Sequence, residues 1–205
     1  IKNNFTGFVA FGFGYYLSYL YRTVNVVIAP NLAKDLDLSA ADLGFLTSIY
    51  FILFAAFQTP LGVILDRYGP RSVQIFLLVF AAIGSAMFAI SDSMEILILA
   101  RGMIGLGVSG CLMGALKANV EWFPAARLPL INSFTMTFGT FGALSSTLPV
   151  ELLTAAYGWR SIFYILSLAT VILLLLTILI INFEHKLNNC RYLGLPFKDL
   201  TSFKL

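Results

Sequence analysis

The chain has 205 residues, of which 59% are apolar and only 11% are charged, with a formal net charge of +3. Ordinary soluble domains carry roughly 25% charged residues, so this composition excludes a typical water-soluble domain, and the small net charge indicates no nucleic-acid partner. Cys111 and Cys190 are isolated, and the only histidine, His185, follows the last apolar run. The sequence therefore predicts no disulfide framework, no metal site and no bound cofactor.

Six apolar runs of about 20 residues follow one another, which is the length that a helix needs to cross a hydrocarbon core roughly 30 Å thick. Helices are expected because backbone groups in lipid must bond internally, and the runs lack the alternation of a β-barrel. The sequence thus predicts an all-α membrane protein with one six-helix domain, residues 1–182, and a short polar tail, residues 183–205. The predicted spans are 8–29, 43–65, 73–90, 96–116, 131–153 and 161–181.

The charged residues between the spans predict the orientation of the chain. Nine basic residues fall on the side that holds both termini and the loops after spans two and four. Three fall on the other side, where aspartates and a glutamate dilute them: Lys34, Arg101 and Arg160. By the positive-inside rule both termini are expected in the cytoplasm.

The first span contains Arg22, and a cation inside a membrane helix is costly and usually functional. Polar residues spaced for the same helical face surround it, and lipid cannot solvate that face. These residues are Tyr15, Ser18, Tyr19 and Asn25. Because guanidinium groups bind carboxylate and phosphate through two hydrogen bonds, Arg22 is interpreted as the counter-charge of an anionic substrate. The alternative is an arginine that extends its side chain to the membrane surface.

The second span presents Tyr50, Phe54 and Gln58 on one face. Gln58 could donate to a substrate or to another helix, and the sequence does not decide between the two. Tyr50 and Gln58 complete the predicted binding residues.

A carboxylate, two arginines and two glycines end the second span within ten residues, in the string Gly62-Val-Ile-Leu-Asp66-Arg67-Tyr-Gly69-Pro70-Arg71. Gly62 shares a helix face with Asp66 and permits close approach of another helix, and Gly69 suits a tight turn. Asp66 could pair with an arginine or with a helix N-terminus. The string closely resembles the signature cytoplasmic loop of the major facilitator superfamily, although Pro70 stands where that family often has a basic residue.

Three further strings resemble the same family and follow in its order. Arg101-Gly102-Met-Ile-Gly105-Leu-Gly107 is similar to the pattern at the start of the fourth helix. Glu121-Trp122-Phe123-Pro124, followed by Arg127, resembles the loop after that helix, and Gly158-Trp159-Arg160-Ser-Ile-Phe163 resembles the beginning of the sixth.

The resemblance implies half of a twelve-helix transporter that binds its substrate between two halves. It implies that Asp66, Arg67 and Arg71 latch the halves together, with Gly62 and Gly69 as packing positions. A C-terminal half is then expected as partner: missing from a fragment, supplied as a separate chain, or replaced by a second copy. Some relatives pair a first-helix arginine with anionic substrates and carry a proton-coupling carboxylate where this chain has Val108.

The expected function is alternating-access transport of a small anionic organic solute, as a symporter coupled to a proton or sodium gradient, in a bacterial cytoplasmic membrane. The sequence contains no Ser-His-Asp set, metal-ligand spacing or phosphate loop, so no enzyme is predicted. Two alternatives remain: a membrane interaction protein derived from a transporter half, and a channel.

Overall fold

The computed structural model describes the backbone of residues 2–192 and the side chains of residues 5–179, and the regular secondary structure of this part of the chain is all helical. Its helices are α1 (Lys2–Leu36), α2 (Ala40–Ile90), α3 (Met94–Val108), α4 (Cys111–Trp122), a 3₁₀ turn (Ala125–Arg127), α5 (Leu128–Ser145), α6 (Leu148–Tyr157) and α7 (Trp159–Tyr192). The prediction of an all-α fold is confirmed for these residues.

Three helical stretches are long and apolar enough to cross a membrane: Ala40–Ile90, Met94–Trp122 and Trp159–Leu179. The helix α1 is not among them, because tyrosines, Arg22 and Asn25 interrupt its apolar run. The helix α6 has only 10 residues, which corresponds to about 15 Å and does not reach across a bilayer.

The predicted second and third spans lie in one helical element, α2, which a single residue interrupts. Gly69 has φ 77° and ψ 158°, a conformation that residues with a β-carbon rarely adopt, and Pro70 follows it. At the start of α2, Ser39 and Asp42 form a reciprocal capping box. The turn predicted from Gly69 and Pro70 is therefore present, but it is one residue long.

Two predicted spans contain a break that the sequence analysis did not anticipate. Ser109 and Gly110 separate α3 from α4, and Ser146 and Thr147 separate α5 from α6. The last helix is longer than predicted at its C-terminal end. The helix α7 continues to Tyr192, beyond the predicted domain boundary at residue 182. The rest of the predicted tail, residues 193–205, lies outside the described residues.

Glycines permit the closest helix contacts. A β-carbon on Gly105 would lie under 3.0 Å from the backbone oxygen of Tyr50, and one on Gly107 would meet the backbone of Ala81 equally closely. Both contacts join α3 to α2. The last two of the three glycines in the Arg101 string thus set the distance between these two helices.

Arg160 joins three parts of the chain at one end of the bundle, where α1 ends and α7 begins; we call this the Asp35 end. Its Nη1 donates to Asp35 Oδ2 at 2.5 Å, and its Nη2 donates to Asp92 Oδ1 at 2.7 Å and to the backbone oxygen of Ser91 at 3.3 Å. Trp159 Nε1 also donates to Asp35 Oδ2 at 3.1 Å. Hydrogen bonds from Arg160 and then from Trp159 hold the pKa of Asp35 below its usual value of 3.8.

Replacing Arg160 with glutamine is expected to make the protein less sensitive to acid. A carboxyl group with a lowered folded-state pKa contributes stability above its unfolded pKa and loses it as the pH falls through the folded value. The thermal unfolding midpoint of the parent should therefore fall further than that of Arg160→Gln between about pH 5 and about pH 2. The other carboxyl groups titrate in both proteins, so equal falls would mean that Arg160 does not stabilise the Asp35 carboxylate.

Candidate functional site

Arg22 lies among aromatic side chains of α1 and α2 and is partly buried. Its guanidinium carbon is 5.4 Å from the ring centre of Tyr19, 5.4 Å from that of Phe51 and 5.1 Å from that of Phe54. We call these four residues the Arg22 cage. Within residues 5–179 Arg22 forms no ion pair with a carboxylate. The rings attract the cation through their faces but do not neutralise it, so its N–H groups can still bind an anion.

Tyr50 lies beside the cage and brings a buried hydroxyl group to it. Its ring centre is 5.2 Å from that of Phe51 and 6.2 Å from that of Phe54. The residue is 3% exposed, and its hydroxyl lies near the Arg22 guanidinium without forming a hydrogen bond of standard geometry to any described residue. A buried hydroxyl without a partner costs about 1–3 kcal/mol, so a ligand or water that bonded it would recover that energy.

Tyr15 extends the cage toward α5. Its ring contacts that of Tyr19 edge to face at 5.1 Å, and its hydroxyl lies 3.7 Å from the sulfur of Met136. The predicted residues Tyr15, Tyr19, Arg22 and Tyr50 therefore lie along one continuous surface formed by α1 and α2. The sequence analysis did not select Phe51, which also belongs to the cage. It lies one helical turn before Phe54 and therefore on the same side of α2.

Asn25 does not contribute to the Arg22 cage. Its amide donates to Thr47 at 2.9 Å, and its oxygen accepts a short hydrogen bond from Nη2 of Arg101. Asn25 is 6% exposed, so its polar atoms are engaged inside the bundle. The structure thus assigns this predicted binding residue to a contact between helices.

Arg101 is buried in the bundle with 1% of its surface exposed. Besides Asn25 it donates to the backbone oxygen of Tyr21 at 3.4 Å, and its guanidinium carbon lies 4.6 Å from the Phe88 ring and 5.3 Å from the Phe163 ring. Counting Arg101 among the loop charges was wrong, because it lies inside α3, two turns past the first residue. Its surroundings consist of a carbonyl, an amide and two rings, which solvate a cation that water does not reach.

Gln58 bonds to another helix, which is one of the two roles that its sequence position left open. Its Nε2 donates at 3.1 Å to the backbone oxygen of Ser109, at the break between α3 and α4. Ser18 donates at 3.3 Å to the neighbouring carbonyl of Val108. These side chains satisfy carbonyl groups that the break leaves without helical partners. Val108 itself contributes only an apolar side chain to the core.

The opposite end of the bundle, where Gly69 interrupts α2 and α4 ends, is called the Asp66 end. Here Asp66 pairs with Lys117 of α4 through a short ion pair. Arg67 lies over the ring of Tyr68 at 5.5 Å, and Arg71 lies over that of Trp122 at 4.7 Å. The partner of Asp66 is therefore a lysine of another helix, and neither an arginine nor a helix N-terminus as the sequence suggested.

Gly62 faces open space in the described structure. A β-carbon built on it meets nothing within 4 Å, and the same is true of Gly69. No described helix of this chain uses Gly62 as a packing position, in contrast to Gly105 and Gly107. The side of α2 that carries Gly62 is thus not covered by any described residue.

Replacing Asp66 with asparagine is expected to leave the fold stable. The carboxylate is 80% exposed and its lysine 27% exposed, and ion pairs so open to solvent contribute at most about 1 kcal/mol. The thermal midpoints of Asp66→Asn and Lys117→Gln should each lie close to that of the parent. A large fall in the thermal midpoint of either variant would show that this ion pair is needed for the stability of the fold.

Comparisons with known proteins show which family this sequence resembles. Residues 11–189 match the family described as Major Facilitator Superfamily. A probable sulfoacetate transporter of Cupriavidus necator is 28% identical over 75% of this chain and 36% of its own length. A hexuronate transporter of Escherichia coli is 26% identical over 74% and 35%, and a nitrate/nitrite transporter of Picosynechococcus is 29% identical over 65% and 25%. The matched part of the chain thus spans about a third or less of the length of each of these curated relatives.

Proposed function

The chain belongs to the Major Facilitator Superfamily, and from that premise we propose that it acts as the N-terminal six-helix half of a secondary transporter for a small anionic organic solute. Membership confirms the resemblance drawn from the four sequence strings. It also confirms that the chain is related to membrane transporters and not to enzymes.

We propose six membrane spans, supported by the way in which the helices join. We assign α1 and α7 one span each, and α2 two spans that meet at Gly69. The pairs α3 with α4 and α5 with α6 then supply one broken span each, and breaks inside membrane helices are tolerated where protein groups satisfy the freed backbone. Without Arg101, the basic residues still favour the Asp66 end, and we therefore propose that both termini and that end lie in the cytoplasm.

A second six-helix half is proposed to cover the exposed side of α2. Apolar side chains on that side are exposed, including Ile52 at 56% and Val63 at 69% exposure, and Gly62 lies between these two residues along α2. Lipid or a neighbouring helix must cover such a surface in a membrane. The half could be a further part of the same protein, a separate chain or a second copy. Asp66, Arg67 and Arg71 would then exchange their present contacts for contacts with it.

The observation that carries the proposed substrate class is the uncompensated charge of Arg22. A guanidinium that is held by three rings and pairs with no carboxylate of residues 5–179 favours an anion, and the nearby hydroxyl of Tyr50 can donate to the same ligand. The names of the three relatives agree, since sulfoacetate, hexuronate and nitrate are all anions.

We propose a bacterial cytoplasmic membrane as the location of the protein.

The proposed coupling is symport with a proton or a sodium ion. Val108 stands where some relatives carry a proton-coupling carboxylate, so a coupling group is expected elsewhere, either in the second half or on the substrate itself. This part of the proposal rests on the family resemblance.

Uptake into proteoliposomes tests the proposal. The protein, purified from membranes with whatever second half accompanies it, should accumulate a radiolabelled hexuronate or sulfonated acid above the level of empty vesicles when an inward proton or sodium gradient is applied. If the proteoliposomes accumulate no anion under either gradient, the result would instead favour the alternative of a membrane interaction protein derived from a transporter half.

A further inference from the structure

Arg101 contacts α1 on both sides of Arg22 along the chain. Its Nη1 donates to the backbone oxygen of Tyr21, which immediately precedes Arg22, and its Nη2 donates to the side chain of Asn25, less than one helical turn after Arg22. Arg101 is only 1% exposed, so its guanidinium is enclosed by protein rather than open to a solute. One short segment of α1 thus carries one guanidinium group and contacts a second.

The Tyr50 hydroxyl lies within electrostatic reach of both guanidinium groups. Tyr50 is 3% exposed, and its hydroxyl interacts electrostatically with Arg22 and with Arg101. The packing of α3 on α2 agrees with this, since Gly105, about one turn after Arg101, closely approaches the backbone oxygen of Tyr50. A ligand that bonds to the Tyr50 hydroxyl and to Arg22 therefore lies within the electric field of Arg101 as well.

No buried carboxylate of residues 5–179 balances these two cations. All aspartate and glutamate side chains in this range are exposed, except for Asp42, which is partly exposed at the start of α2. Neither Arg22 nor Arg101 takes part in any ion pair that these residues form. The two arginines therefore give the interior of the described bundle two positive charges and no negative charge.

The charge of a ligand decides how well it matches such an interior. A ligand with one negative charge leaves one cation unbalanced in a medium of low dielectric constant, whereas a ligand with two negative charges makes the site neutral. Removing a dianion from water costs more than removing a monoanion, and the second cation helps to offset that cost. A cation roughly 10 Å away, at an effective dielectric constant of about 20, strengthens binding roughly tenfold for each negative charge on the ligand.

We propose that the Arg22 cage takes organic solutes with two negative charges, and that the buried Arg101 determines this preference through its charge. One acidic group of the solute bonds to Arg22 and to the Tyr50 hydroxyl, and the second gains from the combined field of the two guanidinium groups. Arg101 acts without touching the solute, and Asn25 holds it in place. This inference rests on the proposed function, because it narrows the substrate class of the same site.

Equilibrium binding to the purified protein, together with any second half that accompanies it, tests this preference at neutral pH. The probes are two matched pairs of radiolabelled acids: glucarate with glucuronate, and sulfoacetate with its monoamide. The members of each pair share one skeleton and differ by one negative charge. In every pair that binds, the dianion should bind at least about tenfold more tightly than the monoanion, which corresponds to about 1.4 kcal/mol.

Asn25→Asp places a carboxylate beside the Arg101 guanidinium and cancels its charge, while the guanidinium keeps a hydrogen-bond partner. The ratio of dianion to monoanion affinity should fall roughly tenfold in this variant. Asn25→Ala is the matched control, because it alters the same position but leaves both positive charges, so its ratio should equal that of the parent. A purely structural role of Arg101 would change both affinities alike and would leave their ratio unchanged.

Two results would overturn this inference while the anion site itself stands: equal binding of the two members of a pair by the parent, or a parental ratio in Asn25→Asp. If Asn25→Asp does not elute like the parent in size-exclusion chromatography, the ratio measured for the parent decides. Failure of all four acids to bind would contradict this inference and the proposed anionic substrate class together, so the two failures are distinguishable.

Discussion

Replacing Arg22 with glutamine is expected to reduce the uptake of an organic anion at least about 30-fold while the protein remains folded. The guanidinium is the one cation of the cage, and removing one partner of a desolvated charge pair costs about 2–5 kcal/mol, of which 2 kcal/mol corresponds to roughly 30-fold in binding. Glutamine keeps an amide donor but loses the charge. Initial rates in proteoliposomes at low substrate concentration measure the loss.

Arg22→Lys distinguishes charge from geometry in the same assay. Lysine keeps the positive charge but lacks the planar fork that bonds two oxygens at once, so its uptake should lie between those of the parent and the glutamine variant. An exposed arginine outside the cage, Arg127, serves as the control, and Arg127→Gln should transport at the parental rate. Parental uptake by Arg22→Gln would mean that Arg22 extends to the membrane surface and does not bind the substrate.

Replacing Gly105 with alanine is expected to lower the free energy of unfolding by about 1–3 kcal/mol or more. The added β-carbon would lie under 3.0 Å from the backbone oxygen of Tyr50, and a backbone atom cannot move aside as the end of a side chain can. The helices α2 and α3 must then separate, which also displaces the Tyr50 hydroxyl beside the Arg22 cage. Thermal or denaturant unfolding in detergent measures the effect.

Gly44→Ala is the matched control, since a β-carbon there meets nothing within 4 Å. Alanine is favoured over glycine by up to about 1 kcal/mol in a helix, so this variant should be as stable as the parent or slightly more stable. Equal stability of Gly105→Ala and Gly44→Ala would contradict the close contact between α2 and α3. Gly62→Ala adds a further comparison, because it should matter only when a second half packs against α2.

The sequence predicts those features of the fold that depend on local chemistry. Gly69 followed by Pro70 marks an interruption because only glycine adopts its backbone conformation readily, and the structure places it there. The apolar runs likewise predict helices, since lipid leaves the backbone few alternatives. The cage around Arg22 was partly predicted for the same reason: Tyr19 lies one turn away on the same helix.

Contacts between distant residues were beyond such reasoning. Asn25 was predicted to face a substrate, but it bonds to Arg101, which lies 76 positions along the chain, and Asp66 pairs with Lys117 at a separation of 51. The number of residues between two helices does not say which of their faces meet. The break at Ser109 was missed because serine and glycine are common inside membrane helices, where packing decides whether they interrupt the helix.

The buried Arg101 has a consequence for how the protein is made. A membrane span that carries an arginine two turns inside its end enters the bilayer at a cost of up to about 2.5–3.5 kcal/mol on insertion scales. The hydrogen-bond acceptor on Asn25 and the ring of Phe88 precede Arg101 in the chain, whereas Phe163 follows it. We therefore expect α1 to be held next to the insertion machinery until α3 emerges from the ribosome. Replacing Asn25 with leucine should then impair membrane insertion during synthesis even where the finished bundle tolerates the change.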